Sequence, residues 1–347
     1  MPTPAELLAG LSLDGGWKVT ERITAGPDAT GGVFSVSYIV ESAHSGRAFL
    51  KALDFSKAFS SPDPARALQA MTEAYNFERD ILQKCADRRM DRVVRAIGDG
   101  NVRTTATSGG GVVQYLIFEL ADRDVRLQLS LSSKVDLAWK LRSLHHIATG
   151  LMQLHSAGIA HQDLKPSNVL VFEGKTSKVS DLGRAAYQGR TGPCDDLSFA
   201  GDPSYAPPEL IYGHVDSDWR KRRLGCDLYL LGSMVAFFFT GAGSTGLLMC
   251  ELPESLRSGR WGGTFDDALP YLHDAFGRVR AQLLEDVPEP PMRPDVGKLF
   301  SELCEPDPRL RGIPTRERGL GSQFAVERYV SRLDLLARRA ELGISRG

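Results

Sequence analysis

The sequence predicts an α+β chain in which a small β-rich N-terminal lobe precedes a larger helical C-terminal lobe. Three observations predict it. The first 120 or so residues hold short runs of β-branched and aromatic residues separated by Ser, His and Gly. After Ala121, apolar residues recur at three- and four-residue intervals, the period of a helix with one apolar face. From Leu228 to Cys250 no residue is charged, as expected of a helix buried in the core of the larger lobe.

Residues 33–40 (VFSVSYIV) and 47–53 (RAFLKAL) read as early strands, and residues 114–120 (QYLIFEL) as another. Between them, residues 65–85 carry Leu68, Met71, Tyr75, Ile81 and Leu82 in a helical pattern. Beyond Ala121, Leu137, Leu141, Leu144, Ile147, Leu151 and Leu154 line one helix face, and Gly158 is placed to cap it in the left-handed region. The uncharged run is long enough for a membrane span, but its apolar part covers only residues 228–239 and a TGAGSTG stretch follows, so a core helix and a loop are expected. Residues 287–294 (VPEPPMRP) read as a stiff connector. Residues 323–342 read as a last helix, with Val326, Val330, Leu333 and Ala337 near one face. Packing on the helical lobe is the first reading of that face, and self-association the second. The expected division is an N-terminal extension 1–16, a first lobe 17–121, a second lobe 122–315 and a helical extension 316–347.

The 347 residues, 42% of them apolar and 8% aromatic, suffice for two lobes with substantial cores. A formal net charge of −1 gives no general pull toward nucleic acid or an anionic membrane. The five cysteines are scattered and never form C-x-x-C, which argues against a disulfide framework or zinc site and for a reducing cytoplasm. The start, MPTPAELLAGLSL, lacks the basic region of a signal peptide. With 11 lysines against 31 arginines, the composition fits a GC-rich, bacterial genome.

The chemistry concentrates in residues 161–171 (HQDLKPSNVLV), followed ten residues later by Asp181-Leu182-Gly183. Phosphoryl transfer from ATP needs a positioned hydroxyl, Mg²⁺ on the phosphates and cations on the developing charge. Mg²⁺ takes oxygen ligands, and Asn168 and Asp181 supply an amide and a carboxylate. Asp163 is placed to accept the hydroxyl proton, and Lys165 to neutralise the transferred group.

At these residues the chain resembles the protein kinase superfamily, specifically its eukaryotic-like serine/threonine members. His161-Gln162-Asp163 is similar to the HRD motif, Asp181-Leu182-Gly183 to DFG, and Lys165 to the serine/threonine variant of the catalytic loop. The resemblance implies a two-lobed protein kinase fold that binds ATP and Mg²⁺ in the cleft between its lobes and phosphorylates a protein substrate. It implies that Lys51 and Glu78 pair to hold the phosphates, that Asn168 and Asp181 bind the metal, and that Phe118 to Ala121 form the hinge. It further implies that Gly26, Gly31, Gly32, Lys51, Glu119, Ala121 and Leu170 contact the nucleotide. Residues 201–209 (GDPSYAPPE) resemble the end of the activation segment, Asp227 a buried carboxylate holding the catalytic loop, and Arg311 the partner of Glu209. The resemblance covers roughly residues 17–315.

Several positions depart from the family pattern. The loop at residues 26–38 has three glycines but not G-x-G-x-x-G-x-V, and Phe49 stands where alanine is usual. Gln162 replaces an arginine whose charge is normally balanced by a phosphate, so residues 181–209 are expected to order without modification or with help from the basic run 220–223. Otherwise that run reads as a solvated face or a dock for acidic substrate. Asp202 replaces threonine and is expected to reach Lys165. His145, His146 and His155 read as structural. Two rival functions remain: a nucleotide-binding scaffold without transfer, or pseudokinase, which fits the odd loop and Phe49, and a small-molecule kinase, which shares the catalytic string.

Overall fold

The computed structural model describes residues 2–24, 35–104, 111–131, 136–318 and 321–343. They form two compact units, Met1–Asp122 and Arg123–Gly347.

The first unit is built on a six-stranded antiparallel sheet in the order β1-β2-β3-β4-β6-β5. Its strands are β1 (Ser12–Leu13), β2 (Trp17–Ile23), β3 (Ser35–Ser42), β4 (Gly46–Leu53), β5 (Ala96–Arg103) and β6 (Val112–Glu119). Side chains alternate across a strand, and Tyr38, Val40, Ala48, Leu50, Ala52, Val113, Tyr115 and Ile117 share one buried cluster. Ala5, Leu8, Leu13 and Trp17 belong to the same cluster, so the segment 5–17 contributes to this core. The Tyr38 hydroxyl fastens them by donating to the Ala5 carbonyl at 2.7 Å. By the same alternation, Lys51 stands on the opposite side of β4 from Leu50 and Ala52. The helix α1 (Pro64–Asp87) is started by Asp63, whose carboxylate accepts from the Arg66 N–H, and by Pro64 in the first turn. It buries Tyr75, Phe77, Glu78, Ile81 and Leu82.

The second unit is mainly helical. It opens with β7 (Arg123–Asp124), α2 (Val125–Leu131) and α3 (Leu137–Ser156), and α3 stops where Gly158 turns to φ 76°. Then come β8 (Ile159–Ala160), the hairpin of β9 (Val169–Phe172) and β10 (Thr176–Val179), and β11 (Ala186–Tyr187), which pairs with β8. The helices α4 (Pro208–Ile211), α5 (Gly225–Thr240), α6 (Ser244–Glu251), α7 (Phe265–Asp286), α8 (Arg293–Leu303), α9 (Thr315–Arg318) and α10 (Glu327–Glu341) complete it. A π-helical turn, Arg220–Leu224, leads directly into α5. Together, Arg220–Thr240 is long and apolar enough to cross a membrane, but 89% of its most apolar window is buried inside the unit, as a core helix requires. The Pro-rich stretch is less extended than expected: Pro290–Met292 forms a 3₁₀ turn and α8 begins at Arg293, with Pro294 in its first turn, where proline's missing N–H costs nothing. The last helix, α10, lies along α3 and buries Tyr329, Leu333, Leu336 and Ala337.

Candidate active site

In the first unit, Lys51 on β4 meets Glu78 on α1. The Lys51 Nζ lies 2.9 Å and 3.1 Å from the two Glu78 carboxylate oxygens. Glu78 is buried while about a quarter of the Lys51 side chain is exposed. A buried carboxylate needs such a cation, and the contact holds the amine in one direction. On the neighbouring β6, Phe118 pairs with Phe49 in register, and their tilted rings are 6.4 Å apart. Glu119 follows Phe118 and accepts the Arg95 N–H at 2.8 Å, and Ala121 is half-buried after the strand. Gly26, Gly31, Gly32 and Phe34 lie outside the described residues.

In the second unit, the segment 161–168 is held by its backbone. Asp227, fully buried on α5, accepts the His161 N–H at 2.7 Å and the Gln162 N–H at 2.9 Å. Its Oδ2 also lies 2.8 Å from His155 Nε2. Burial pushes the Asp227 carboxyl up, but the His155 contact and these N–H donors hold it below the usual carboxylate range. The His161 ring bonds Ser180 O through Nε2 at 3.0 Å, while its Nδ1 accepts the Asp163 N–H at 3.3 Å. Gln162 sits at φ 65°, a left-handed conformation rare for a residue with a side chain. That turn aims the next residue, Asp163.

Asp163 is buried and surrounded. Its Oδ1 accepts the Asp202 N–H at 2.9 Å and its Oδ2 lies 3.2 Å from Asn168 Nδ2 and 3.4 Å from Lys165 Nζ. Burial, aided by the nearby Asp181 charge, pushes the Asp163 carboxyl up from its ordinary value against the pull of Lys165. Lys165 is shared, since Asp202 Oδ2 is 3.6 Å from the same Nζ. Gly201 packs against this group so closely that a Cβ there would lie 2.5 Å from the Gln162 carbonyl oxygen.

Asn168 and Asp181 are brought to one end of the β9–β10 hairpin. Val169 pairs with Val179, and the Ser180 N–H and hydroxyl both donate to the Asn168 carbonyl, at 2.9 Å and 3.0 Å. Asp181 comes next and is turned by a left-handed φ of 60°. The Asn168 side-chain nitrogen is engaged by the Asp163 carbonyl at 2.8 Å and by its carboxylate. The Asn168 amide oxygen accepts only a long 3.5 Å contact from the Ser167 hydroxyl among the described residues, and an amide oxygen with a carboxylate is a donor set that suits Mg²⁺. Leu170 is half-buried on β9, opposite Asp124 and Lys178.

The basic run is not a wholly solvated face. Arg220 and Lys221 are exposed, but Arg223 is 3% exposed and turned inward. It reaches Gln162 and, at 3.2 Å, the Asp195 carboxylate. The signal available in the sequence was its position four residues before Asp227, which puts both on neighbouring turns of one helix.

The carboxylate, lysine and amide cluster meets what phosphoryl transfer demands of a protein. A profile of the protein kinase domain matches residues 37–246, well over half of the chain. Among curated proteins, a dual serine/threonine and tyrosine protein kinase of Tetraodon nigroviridis is 27% identical over 63% of this chain and 22% of its own length. A probable serine/threonine-protein kinase of Encephalitozoon cuniculi is 30% identical over 59% of this chain and 34% of its own. A serine/threonine-protein kinase/endoribonuclease of Arabidopsis thaliana is 28% identical over 50% of this chain and 18% of its own. The chain thus spans about a third or less of the length of these relatives. The profile match, over a catalytic loop whose geometry fits the motif, places this chain in the protein kinase domain family.

Proposed function

We propose that the chain transfers the γ-phosphoryl group of ATP to serine or threonine hydroxyls of a protein, with Mg²⁺. The observation that carries this reading is the buried Asp163, oriented by the Asp202 N–H and Asn168 and sharing Lys165. In the reaction, a substrate hydroxyl oxygen bonds to the γ-phosphorus as the bond from that phosphorus to the β–γ bridging oxygen breaks. Asp163 takes the hydroxyl proton, and ADP departs. Its raised carboxyl is a better base than a solvent-exposed aspartate would be. Lys165 stabilises the negative charge on the moving group. Lys51, held by Glu78, engages the α- and β-phosphates. Asn168 and Asp181 would hold Mg²⁺, which when bound supplies charge neutralisation on the phosphates.

The serine/threonine preference rests on Lys165 and on the names of the relatives, one of which includes tyrosine. The test is transfer from labelled ATP to a mixed protein substrate, followed by phosphoamino-acid analysis. Asp181→Ala should abolish Mg²⁺-dependent transfer, and Asp163→Asn should lower kcat about 1,000-fold, within the range of a lost general base. Both variants should keep the wild-type circular dichroism. Undiminished turnover by Asp181→Ala sinks the reading, and phosphotyrosine as the main product overturns the hydroxyl preference.

A further inference from the structure

Residues 181–209 need an anchor, because a long segment with little regular structure keeps one conformation only where its polar groups find fixed partners. Two guanidinium groups supply it. Arg222 donates to the carbonyls of Asp195 and Leu197, at 3.2 Å and 2.5 Å. Arg223 donates to the Asp195 carbonyl and to its carboxylate, both at 3.2 Å. The second carboxylate oxygen of Asp195 accepts the Gly192 N–H at 2.7 Å and closes the local turn.

The other end of Arg223 touches the catalytic loop. Its Nη1 donates to Gln162 Oε1 at 3.2 Å, and Gln162 Nε2 donates back to the Arg223 carbonyl and to Asp227 Oδ1, each at 2.9 Å. Gln162 is the strained residue that aims Asp163. Asp163 in turn accepts the Asp202 N–H, further along the same segment. The contacts form a closed circuit: Asp195, Arg223, Gln162, Asp163, Asp202 and back through the segment to Asp195. The only charge placed against the 3%-exposed Arg223 by a direct ion pair, among the described residues, is the Asp195 carboxylate. A buried cation deprived of its counter-charge is strongly destabilising, so this carboxylate governs where Arg223, and through it Gln162, can rest.

We infer that Asp195 and Arg223 are positioning residues for Asp163, and that the Asp195 carboxylate is a permanent counter-charge that orders residues 190–202 without modification of the chain. The inference rests on the phosphotransfer reading for its kinetic consequence and on geometry alone for the ordering. Thr191 and Ser198 flank the anchor, but neither hydroxyl takes part in the circuit.

The experiment uses the full chain, shown unmodified by mass spectrometry, as wild type, Asp195→Asn, Asp195→Glu and Thr191→Ala/Ser198→Ala. Hydrogen exchange of residues 188–202 is measured without substrate, and kcat and the ATP KM are measured in parallel. Asp195→Asn keeps the shape and removes the charge. It should speed exchange across the segment and lower kcat about 100-fold while the ATP KM stays within about threefold, the pattern of lost positioning rather than lost nucleotide binding. Asp195→Glu should recover most of kcat and of the protection. The Thr191→Ala/Ser198→Ala protein should match wild type in both. Wild-type exchange in Asp195→Asn overturns the inference, as does a failure of Asp195→Glu to recover protection. Loss of protection and of kcat in Thr191→Ala/Ser198→Ala also overturns it, because the unmodified hydroxyls would then carry the anchor. A wild-type chain that transfers no phosphoryl group defeats the functional reading instead, and the ordering by Asp195 is still decided by exchange.

Discussion

Asp202 serves two neighbours with different needs. Its Oδ1 accepts the Ser204 N–H at 3.0 Å and hydroxyl at 2.7 Å, capping the short turn that follows, while Oδ2 faces Lys165. Burial pushes its carboxyl up, but the Ser204 bonds and the Lys165 ammonium hold it below the ordinary value, so it is ionised at neutral pH. Its charge therefore competes with Asp163 for Lys165 and repels the carboxylate proposed to accept the proton. Replacing Asp202 by Thr keeps the backbone N–H that Asp163 accepts and removes the competitor. Asp202→Thr should retain kcat or raise it a few-fold, on the scale of one screened charge contact. On the proposed reading Asp163 must be ionised to act, and losing a nearby negative charge lowers its pKa, so the acid limb of the kcat–pH profile should move to lower pH. A dead but folded variant, or an acid limb displaced upward, contradicts this account. The legibility of the site follows the same logic of charge. The clustering of Asp163, Lys165 and Asn168, with the Asp181 charge nearby, could be read from the sequence because the proposed chemistry fixes their order and spacing. Arg223 was legible only as one of a basic run placed to help order the segment, because four consecutive cations do not tell which one the fold turns inward.

At the scale of elements, the sequence was clearest where period and propensity agreed. The helices α1, α3, α5 and α10 lie where apolar periodicity or an uncharged run put them. The strand β5 was missed because Ala96–Arg103 contains two glycines, Asp and Asn, residues depleted in strands. It forms through its ladder with β6, and Gly100 is required there, since a Cβ would lie 2.6 Å from the Tyr115 hydroxyl. Tertiary pairing overrides local preference at such a place. The C-terminal helix shows the opposite case, in which the face and its packing on the helical lobe were legible and only the helix it meets, α3, was not. Leu333 and Ala337 are fully buried against α3, and Tyr329 and Leu336 widen the face as a 3.6-residue period demands. Arg142 of α3 bonds Asp334 at 2.7 Å and Glu341 at 2.8 Å across the same contact. Leu333→Ala should therefore cost about 2–5 kcal/mol, the range for a large-to-small change in a packed core. Leu335, at 59% exposure, should tolerate Ala within about 0.5 kcal/mol. Urea unfolding of both variants checks the pair, and equal losses would mean that the solvent-facing side of α10 is also covered.

A few charges of the second unit are buried far from water. Arg311 is fully buried and clasps Glu209, 102 positions earlier, with contacts of 2.6 Å and 2.7 Å. Its Nε donates to the Glu305 carbonyl and its guanidinium lies 5.0 Å from the Tyr229 ring centre, so every face of the group is occupied. This pair ties the end of the 181–209 segment to the loop after α8 and to α5, and these are not sequence neighbours. The profile match ends before Arg311, so the pair joins the matched region to the chain beyond it. Coulomb attraction between such groups is strong, but their desolvation is comparably costly, and the net worth of the intact pair is small. The large effect comes from breaking it. Arg311→Met leaves the Glu209 carboxylate buried without its cation and should lower the stability of the unit by about 3–5 kcal/mol. The double variant Glu209→Gln/Arg311→Met removes both charges and should lose less than Arg311→Met alone, a coupling that two independent contacts would not produce. Urea unfolding at neutral pH decides it through the Trp139, Trp219 and Trp261 fluorescence of this unit. If the double variant is as unstable as the sum of the singles, the contact works through packing rather than charge.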